Sequence, residues 1–179
     1  STDPVYKEDC KNTAKFLVEM LKDIGFEASM RETDGHPMVV AHHDGDNKSS
    51  PHILFYGHYD VQPVDPIEQW HTDPFVATRK VQNGKEVIVA RGSSDDKGQL
   101  MTFIEACRNY KNLYNTLPIG VTILLEGEEE SGSPSLIPFL IENKEELKAD
   151  FALVCDTSMW DENTPSISLG LRGMLAQEI

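Results

Sequence analysis

One histidine and several carboxylates stand in four short segments between residues 57 and 156, each directly after a run that reads as a buried strand. The segments are Gly57-His58-Tyr59-Asp60-Val61-Gln62-Pro63, Arg91-Gly92-Ser93-Ser94-Asp95-Asp96-Lys97-Gly98, Glu126-Gly127-Glu128-Glu129-Glu130-Ser131-Gly132-Ser133 and Val154-Cys155-Asp156. Side chains at the carboxyl ends of neighbouring strands converge, and convergent carboxylates repel one another unless cations neutralise them. The pattern therefore predicts a metal site, and with it a hydrolytic function.

His58 could bind a metal through one ring nitrogen while Asp60 holds the other. In an extended chain residue 60 points to the same side as residue 58, and a metal-bound imidazole needs an acceptor on its second nitrogen to fix the tautomer. The alternative for a single histidine after a strand is a hydrogen-bonded structural residue. The His-x-Asp spacing and the other three segments favour the metal ligand.

Asp95 and Asp96 stand just before a predicted helix at 99–110, so either of them could be only an N-cap. Two adjacent aspartates also allow a division of roles, in which one makes backbone contacts and the other faces metal ions. A carboxylate has two oxygens and can bridge two cations. We assign that position to Asp95.

Three consecutive acids at 128–130 follow a predicted strand at 119–125. Such a run is usually a solvated turn, but this one lies at a strand end and just before a helix N-terminus, which favours anions. One glutamate can bind a metal while its neighbour reaches a water whose pKa the metal lowers to about 7. We assign Glu129 as the general base and Glu130 as a ligand.

Asp156 follows a short apolar run, and taken alone it would read as a turn residue. Together with His58 and Asp95 it completes a metal site whose fourth position is left to water. Oxygen-rich sites with one histidine per metal suit zinc, and they admit manganese or cobalt. Two zinc ions about 3.5–4 Å apart would hold a carbonyl oxygen and the water that attacks it.

The 179-residue chain carries a formal net charge of −14, from 30 acids and 16 bases. This balance disfavours nucleic acid and anionic membranes as partners, because phosphate binding needs a basic patch. The three cysteines, Cys10, Cys107 and Cys155, are far apart, which indicates buried free thiols in a reducing compartment. The sequence shows no apolar run of transmembrane length and no signal peptide, so we expect a cytoplasmic location.

Hydrophobic periodicity predicts three helices, seven strands and a long loop rich in proline and aspartate. The helices are predicted at 6–24, 99–110 and 135–146, and the loop at 59–75. The seven strands are predicted at 26–31, 37–41, 53–56, 86–90, 119–125, 151–155 and 167–169. An eighth strand is predicted at 174–179. Strands that alternate with helices predict a layered α/β/α domain with a largely parallel central sheet.

The four segments together resemble the M20 family of co-catalytic zinc metallopeptidases. Segments 57–63, 91–98 and 126–133 are most similar to its carnosine-dipeptidase-like branch, as are Trp70 with Asp73-Pro74-Phe75 and the segment Gly170-Leu171-Arg172-Gly173. The resemblance implies a zinc-exopeptidase-like fold and hydrolysis of small peptides by a dizinc-activated water. The alternative is an N-acyl amino acid deacylase, since the family includes such enzymes and they use the same chemistry.

By this resemblance His58, Asp95 and Asp156 bind one zinc ion. Asp95 bridges to a second zinc ion, which Glu130 also binds. The family has a non-proline cis peptide bond after the bridging aspartate, here between Asp95 and Asp96. The resemblance also makes Glu129 the catalytic base and Asp60 the residue that orients His58.

Two departures from the family pattern bear on function. The second zinc in the family takes a histidine from far down the chain, and no histidine follows His71 here. The family also inserts a lid domain, through which its dimers form, where this chain stops at Ile179. We therefore expect residues 1–179 to be a partial catalytic domain, truncated at both ends, of a homodimeric parent. We expect this piece alone to show little turnover, or to act as a non-catalytic binding module.

Overall fold

The computed structural model describes residues 4–47, 49–175 and 177. Within these described residues ten helices and strands follow one another, with short 3-10 turns at Pro4–Tyr6, Ile67–Gln69 and Glu129–Ser131. In order they are α1 (Lys7–Ile24), β1 (Glu27–Arg31), β2 (Met38–His43), β3 (His52–His58), β4 (Thr78–Gln82), β5 (Lys85–Val89), α2 (Lys97–Tyr114), β6 (Gly120–Glu126), α3 (Leu136–Glu142) and β7 (Phe151–Val154). No helix among the described residues is long and apolar enough to cross a membrane.

Four of the five strands in the central sheet run in the same direction. The spatial order is β1-β2-β6-β3-β7. Strand β3 pairs in parallel with both β6 and β7, whereas β2 is antiparallel to both β1 and β6. Only β2 therefore runs against the rest, and the largely parallel sheet predicted from the sequence is confirmed.

Helices cover both faces of this sheet. Successive strand residues point to opposite faces, so β2 and β6 each contribute to two separate apolar clusters. The first cluster joins Val39, Ala41, Phe55, Ile123 and Leu125 to Leu17 and Leu21 of α1 and to Leu100 and Ile104 of α2. The second joins Met38, Val40 and Leu124 to Phe139 of α3 and to Leu147. The predicted α/β/α layering is thus confirmed.

Truncating a core side chain of α1 tests this packing. Leu21 is fully buried between α1 and the sheet, and we expect Leu21→Ala to lower the free energy of unfolding by about 2–5 kcal/mol because it leaves a cavity. Leu113→Ala on the exposed side of α2 is the matched control, since Leu113 is 74% exposed, and it should change stability by less than about 0.5 kcal/mol. Urea unfolding measures both, and equal effects would contradict the assignment of the core.

The strand predicted at 86–90 is present as β5, but its expected place in the main sheet is wrong. Strand β5 pairs only with β4, in a separate two-stranded sheet. The two strands are joined by Asn83-Gly84, which have φ values of 53° and 76°. Both residues are therefore left-handed, as a two-residue hairpin turn of type I′ requires. This Asn-Gly signal was present in the sequence, but β4 was not predicted.

The predicted strands after β7 are also absent from the part of the chain that the structure describes. Residues 167–169 and 174–175 form no strand, and they are exposed. A strand needs a neighbour to satisfy its backbone hydrogen bonds, and no described segment pairs with these residues. The rest of the 174–179 prediction falls partly on residues 176, 178 and 179, which lie outside the described residues.

Candidate metal centre

His58 is the last residue of β3, and its side chain is fully buried. Its Nδ1 lies 3.2 Å from Oδ1 of Asp60, and its Nε2 lies 3.1 Å from Oδ1 of Asp95. The same Nε2 lies 3.5 Å from Oδ2 of Asp156 and 3.8 Å from Oε2 of Glu129. Three carboxylates thus converge on one ring nitrogen that carries at most one hydrogen.

The parallel pairing of β6, β3 and β7 explains most of this convergence. The register aligns His58 with Glu126, and Tyr56 with Val154. The three strands therefore end at one edge of the sheet, and the segments that follow them meet there. Asp95 reaches the same place by another route, because it precedes α2 rather than ending a strand of the main sheet.

Asp60 connects His58 to the acidic loop that follows β6. Its side chain is buried. Besides facing Nδ1 of His58, its Oδ1 accepts a hydrogen bond from the backbone N–H of Glu129, and its Oδ2 accepts one from that of Glu130, both at 3.2 Å. One buried carboxylate therefore sets the positions of the imidazole ring and of both glutamates.

Asp96 supports the site through the backbone. Its Oδ2 accepts the backbone N–H of His58 at 3.0 Å, and the Asp95–Asp96 peptide bond is cis, as the resemblance implied. A Cβ at Gly57 would lie 2.9 Å from that same Oδ2, so the close approach needs glycine. Burial raises the pKa of Asp96 to about 6, against the lowering effect of the hydrogen bond from His58.

Among the residues that the structure describes, two groups of side chains could hold a metal ion. The first is His58, Asp95 and Asp156, and the second is His58, Glu129 and Glu130, with the ligand atoms of each group within 4.8 Å of one another. The second group places Glu130 beside Glu129 and His58. The sequence-based pairing of Glu130 with Asp95 stays a prediction. One imidazole nitrogen and several carboxylate oxygens form a donor set that fits zinc or manganese.

The charges around His58 also fit a cation. Burial alone would lower the pKa of His58, but the hydrogen bond that its Nδ1–H donates to Asp60 and the charges of Asp60, Asp96 and Glu129 raise it to about 9. Burial also raises the pKa of Glu129; the charge of His58 opposes this effect, whereas the charges of Glu130 and Asp156 add to it. At neutral pH a proton on His58 offsets part of the repulsion that a metal ion would offset more fully.

We expect metal binding at neutral pH to release a proton from His58. A metal ligand must be deprotonated, and the pKa of His58 is raised to about 9. At pH 7 about one proton should leave as the metal binds, and affinity should rise about tenfold per pH unit towards pH 9. Calorimetry in two buffers of different ionisation enthalpy measures this release. No released proton together with a pH-independent affinity would contradict His58 as a ligand.

Sequence reasoning did not identify Gln62 as part of this site. Its Nε2 donates a hydrogen bond to Oε2 of Glu130 at 2.6 Å. A signal was available, because Gln62 follows His58 and Asp60 at the two-residue spacing of an extended chain. Lys97 was also missed, and its Nζ donates to the backbone carbonyl of Tyr59 at 2.8 Å.

The model of a family described as peptidase family M20/M25/M40 matches residues 54–170, which include every residue of both groups. The chain belongs to this family. A Cys-Gly metallodipeptidase of Candida albicans is 30% identical over 97% of this chain, which covers 38% of that protein. The resemblance found in the sequence is confirmed, and membership in a metallopeptidase family implies a metal-dependent site.

Solved structures of M20 peptidases superpose on this chain. An M20 family metallo-carboxypeptidase from Sulfolobus solfataricus has a TM-score of 0.73 and 39% identity, over 83% of this chain and 32% of that one. Human carnosine dipeptidase 1 has a TM-score of 0.76 and 26% identity, over 89% of this chain and 35% of that one. The chain therefore spans about a third of the length of these relatives.

Proposed function

We propose that this chain carries the metal centre of a dizinc peptidase that hydrolyses the peptide or amide bond of a small peptide. The convergence of Asp95, Asp156 and Glu129 on Nε2 of the buried His58 is the observation that carries this proposal. Relatives named Cys-Gly metallodipeptidase and Beta-Ala-His dipeptidase favour a dipeptide as the substrate class.

His58, Asp95 and Asp156 would hold one zinc ion, and Asp95 and Glu130 would hold the other, with Asp95 shared. Manganese or cobalt would suit the same oxygen-rich donors. When bound, the ions supply Lewis acidity, which acidifies water and polarises a substrate carbonyl. Asp60 keeps the ring of His58 in the orientation that presents Nε2 to the cluster.

Glu129 would move the proton in this reaction. Its side chain is 38% exposed, so solvent and substrate can reach it. As a carboxylate it would take a proton from the water whose oxygen bonds to the carbonyl carbon. It would then give that proton to the amine nitrogen that leaves when the peptide C–N bond breaks. Asp60 binds the backbone N–H of Glu129, which holds the carboxylate close to the cluster.

The domain arrangement belongs to the same proposal. The chain covers 38% of the Candida albicans relative, and we propose that its 179 residues are the metal-binding part of a catalytic domain. The other part of the protein, which corresponds to the remaining length of such relatives, would then supply the last ligand of the second zinc. It would also supply most substrate contacts and a homodimer interface.

Metal removal in the full-length protein tests the proposed function. We expect chelation to abolish cleavage of Cys-Gly and β-Ala-His, and zinc or manganese to restore it. N-acetyl amino acids, assayed in parallel, test the deacylase alternative, and cleavage of these alone would favour it. Cleavage of dipeptides that persists after complete metal removal would contradict a metal-dependent mechanism.

A further inference from the structure

Tyr56, Glu126 and Ser133 form a buried polar cluster beside the metal centre, and the mechanism above does not use it. Glu126 is the last residue of β6 and is fully buried. Its Oε1 accepts a short hydrogen bond from the hydroxyl of Tyr56 and a second one, at 2.8 Å, from the hydroxyl of Ser133. We call these three residues the Glu126 latch.

The Glu126 latch closes the loop that carries the two glutamates of the site. Glu129 and Glu130 lie between Glu126 and Ser133, so the bond from Ser133 to Glu126 joins the two ends of this loop. In its middle, the loop is held by the hydrogen bonds from Glu129 and Glu130 to Asp60. The loop is thus fixed both at its base and at its centre.

Ser133 has a backbone conformation that depends on such support. Its φ is 52°, and a left-handed backbone conformation is strained for a residue other than glycine. Two contacts offset this strain, because the N–H of Ser133 donates to the carbonyl of Glu128 at 2.9 Å and its hydroxyl donates to Glu126. Without the hydroxyl, only the backbone hydrogen bond to Glu128 would stabilise this strained conformation of Ser133.

Tyr56 links the Glu126 latch to strand β3, which also carries His58. Burial raises the pKa of Tyr56, and the hydrogen bond and charge of Glu126 and the charge of Glu129 raise it further. The phenol therefore keeps its proton and donates at any physiological pH.

We propose that Glu126 is a positioning residue, which binds Tyr56 and Ser133 and thereby sets where Glu129 and Glu130 stand in the metal centre. This inference rests on the proposed function. A purely structural Glu126 latch would change stability alone. If Glu126 positions the glutamates, its loss also changes how Glu129 and Glu130 bind a metal ion. The visible absorption spectrum of bound cobalt depends on its ligands and measures this change.

The experiment uses the cobalt-loaded full-length protein. We expect Tyr56→Phe and Ser133→Ala to change the visible spectrum of bound cobalt and to weaken cobalt binding about 10-fold or more, the size of effect seen for residues that orient ligands. Glu126→Leu should do the same, whereas Glu126→Gln keeps an oxygen acceptor for both hydroxyls and should rescue most of the affinity. Tyr114→Phe, at a tyrosine 60% exposed on α2, is the matched control and should leave both readouts unchanged.

The outcomes separate this inference from the proposed function. Ser133→Gly relieves the backbone strain but removes the hydroxyl, so weaker cobalt binding in both Ser133 variants is expected. Cobalt binding and a spectrum that stay the same in Tyr56→Phe and Ser133→Ala, with circular dichroism confirming the fold, would overturn the role of the Glu126 latch alone. An unmodified protein that binds no cobalt would overturn the proposed function, and the positioning role with it.

Discussion

We expect Asp95→Ala to abolish tight zinc binding and to leave the fold intact, the largest effect of any substitution on the metal centre. Oδ1 of Asp95 lies 3.1 Å from Nε2 of His58, and we propose that both zinc ions share this carboxylate. Loss of a residue that only orients a ligand lowers metal affinity by about 10–100-fold. Loss of a shared ligand should therefore lower zinc affinity by at least about 100-fold. The side chain of Asp95 is 64% exposed, so its removal should not disturb the core.

Titration calorimetry measures this effect, and circular dichroism verifies the fold. Asp23→Ala is the matched control, because Asp23 is an exposed aspartate on α1 that takes no part in either group of ligands. It should bind zinc as tightly as the unmodified chain does. Equal zinc affinity in Asp95→Ala and Asp23→Ala would contradict the assignment of Asp95.

Glu129→Gln should separate metal binding from turnover in the full-length protein. Glutamine keeps the shape of glutamate but cannot accept the proton of the attacking water. Since general base catalysis contributes about 10²–10⁴-fold, we expect kcat to fall by that factor on a dipeptide substrate. Metal content should stay unchanged, because Glu129 is proposed as the base rather than as a required ligand.

Steady-state kinetics and metal analysis of the same preparations check this result. Glu142→Gln, at an exposed glutamate that ends α3, is the control and should keep normal kcat. Unchanged turnover in Glu129→Gln would remove Glu129 from the mechanism. Loss of bound metal in this variant would instead assign Glu129 as a ligand, in line with its place beside Glu130 and His58 in the second group.

Much of the fold could be predicted because its strongest patterns are local. The apolar spacing of α1 and the stop at Gly25, whose φ is 94°, define that helix within one residue of its predicted start. The long apolar runs of β3 and β6 are covered on both faces, as expected for parallel strands. The mainly polar strand β4 has no such run. The Asn83-Gly84 pair after it indicates a hairpin turn, and with it a strand at β4.

The tail beyond β7 shows the opposite error. The alternation at 167–169 predicts a strand, but a strand forms only beside a partner, and no described segment pairs with it. An alternating hydrophobic pattern therefore predicts too many strands where the pairing partner is far away in the sequence.

The sequence allowed the main side chains of the site to be predicted, but not all of their connections. His58 and Asp60 share a side of an extended chain, and the spacing alone indicates their contact. Asp95 was expected after a strand of the main sheet and just before a helix; it does precede α2, but the strand before it, β5, lies outside the main sheet. Glu126 was not singled out, because it stands in a segment rich in glutamates. Its contact with Tyr56 appears only in the tertiary structure.

X-ray diffraction at the zinc absorption edge, from crystals grown with zinc, tests the metal centre most directly. We expect an anomalous peak about 2.0–2.2 Å from Nε2 of His58 and at a similar distance from carboxylate oxygens of Asp95 and Asp156. A peak only at the partly exposed pair of His42 and Glu146, or no peak in a crystal of the folded protein, would contradict a metal centre at His58.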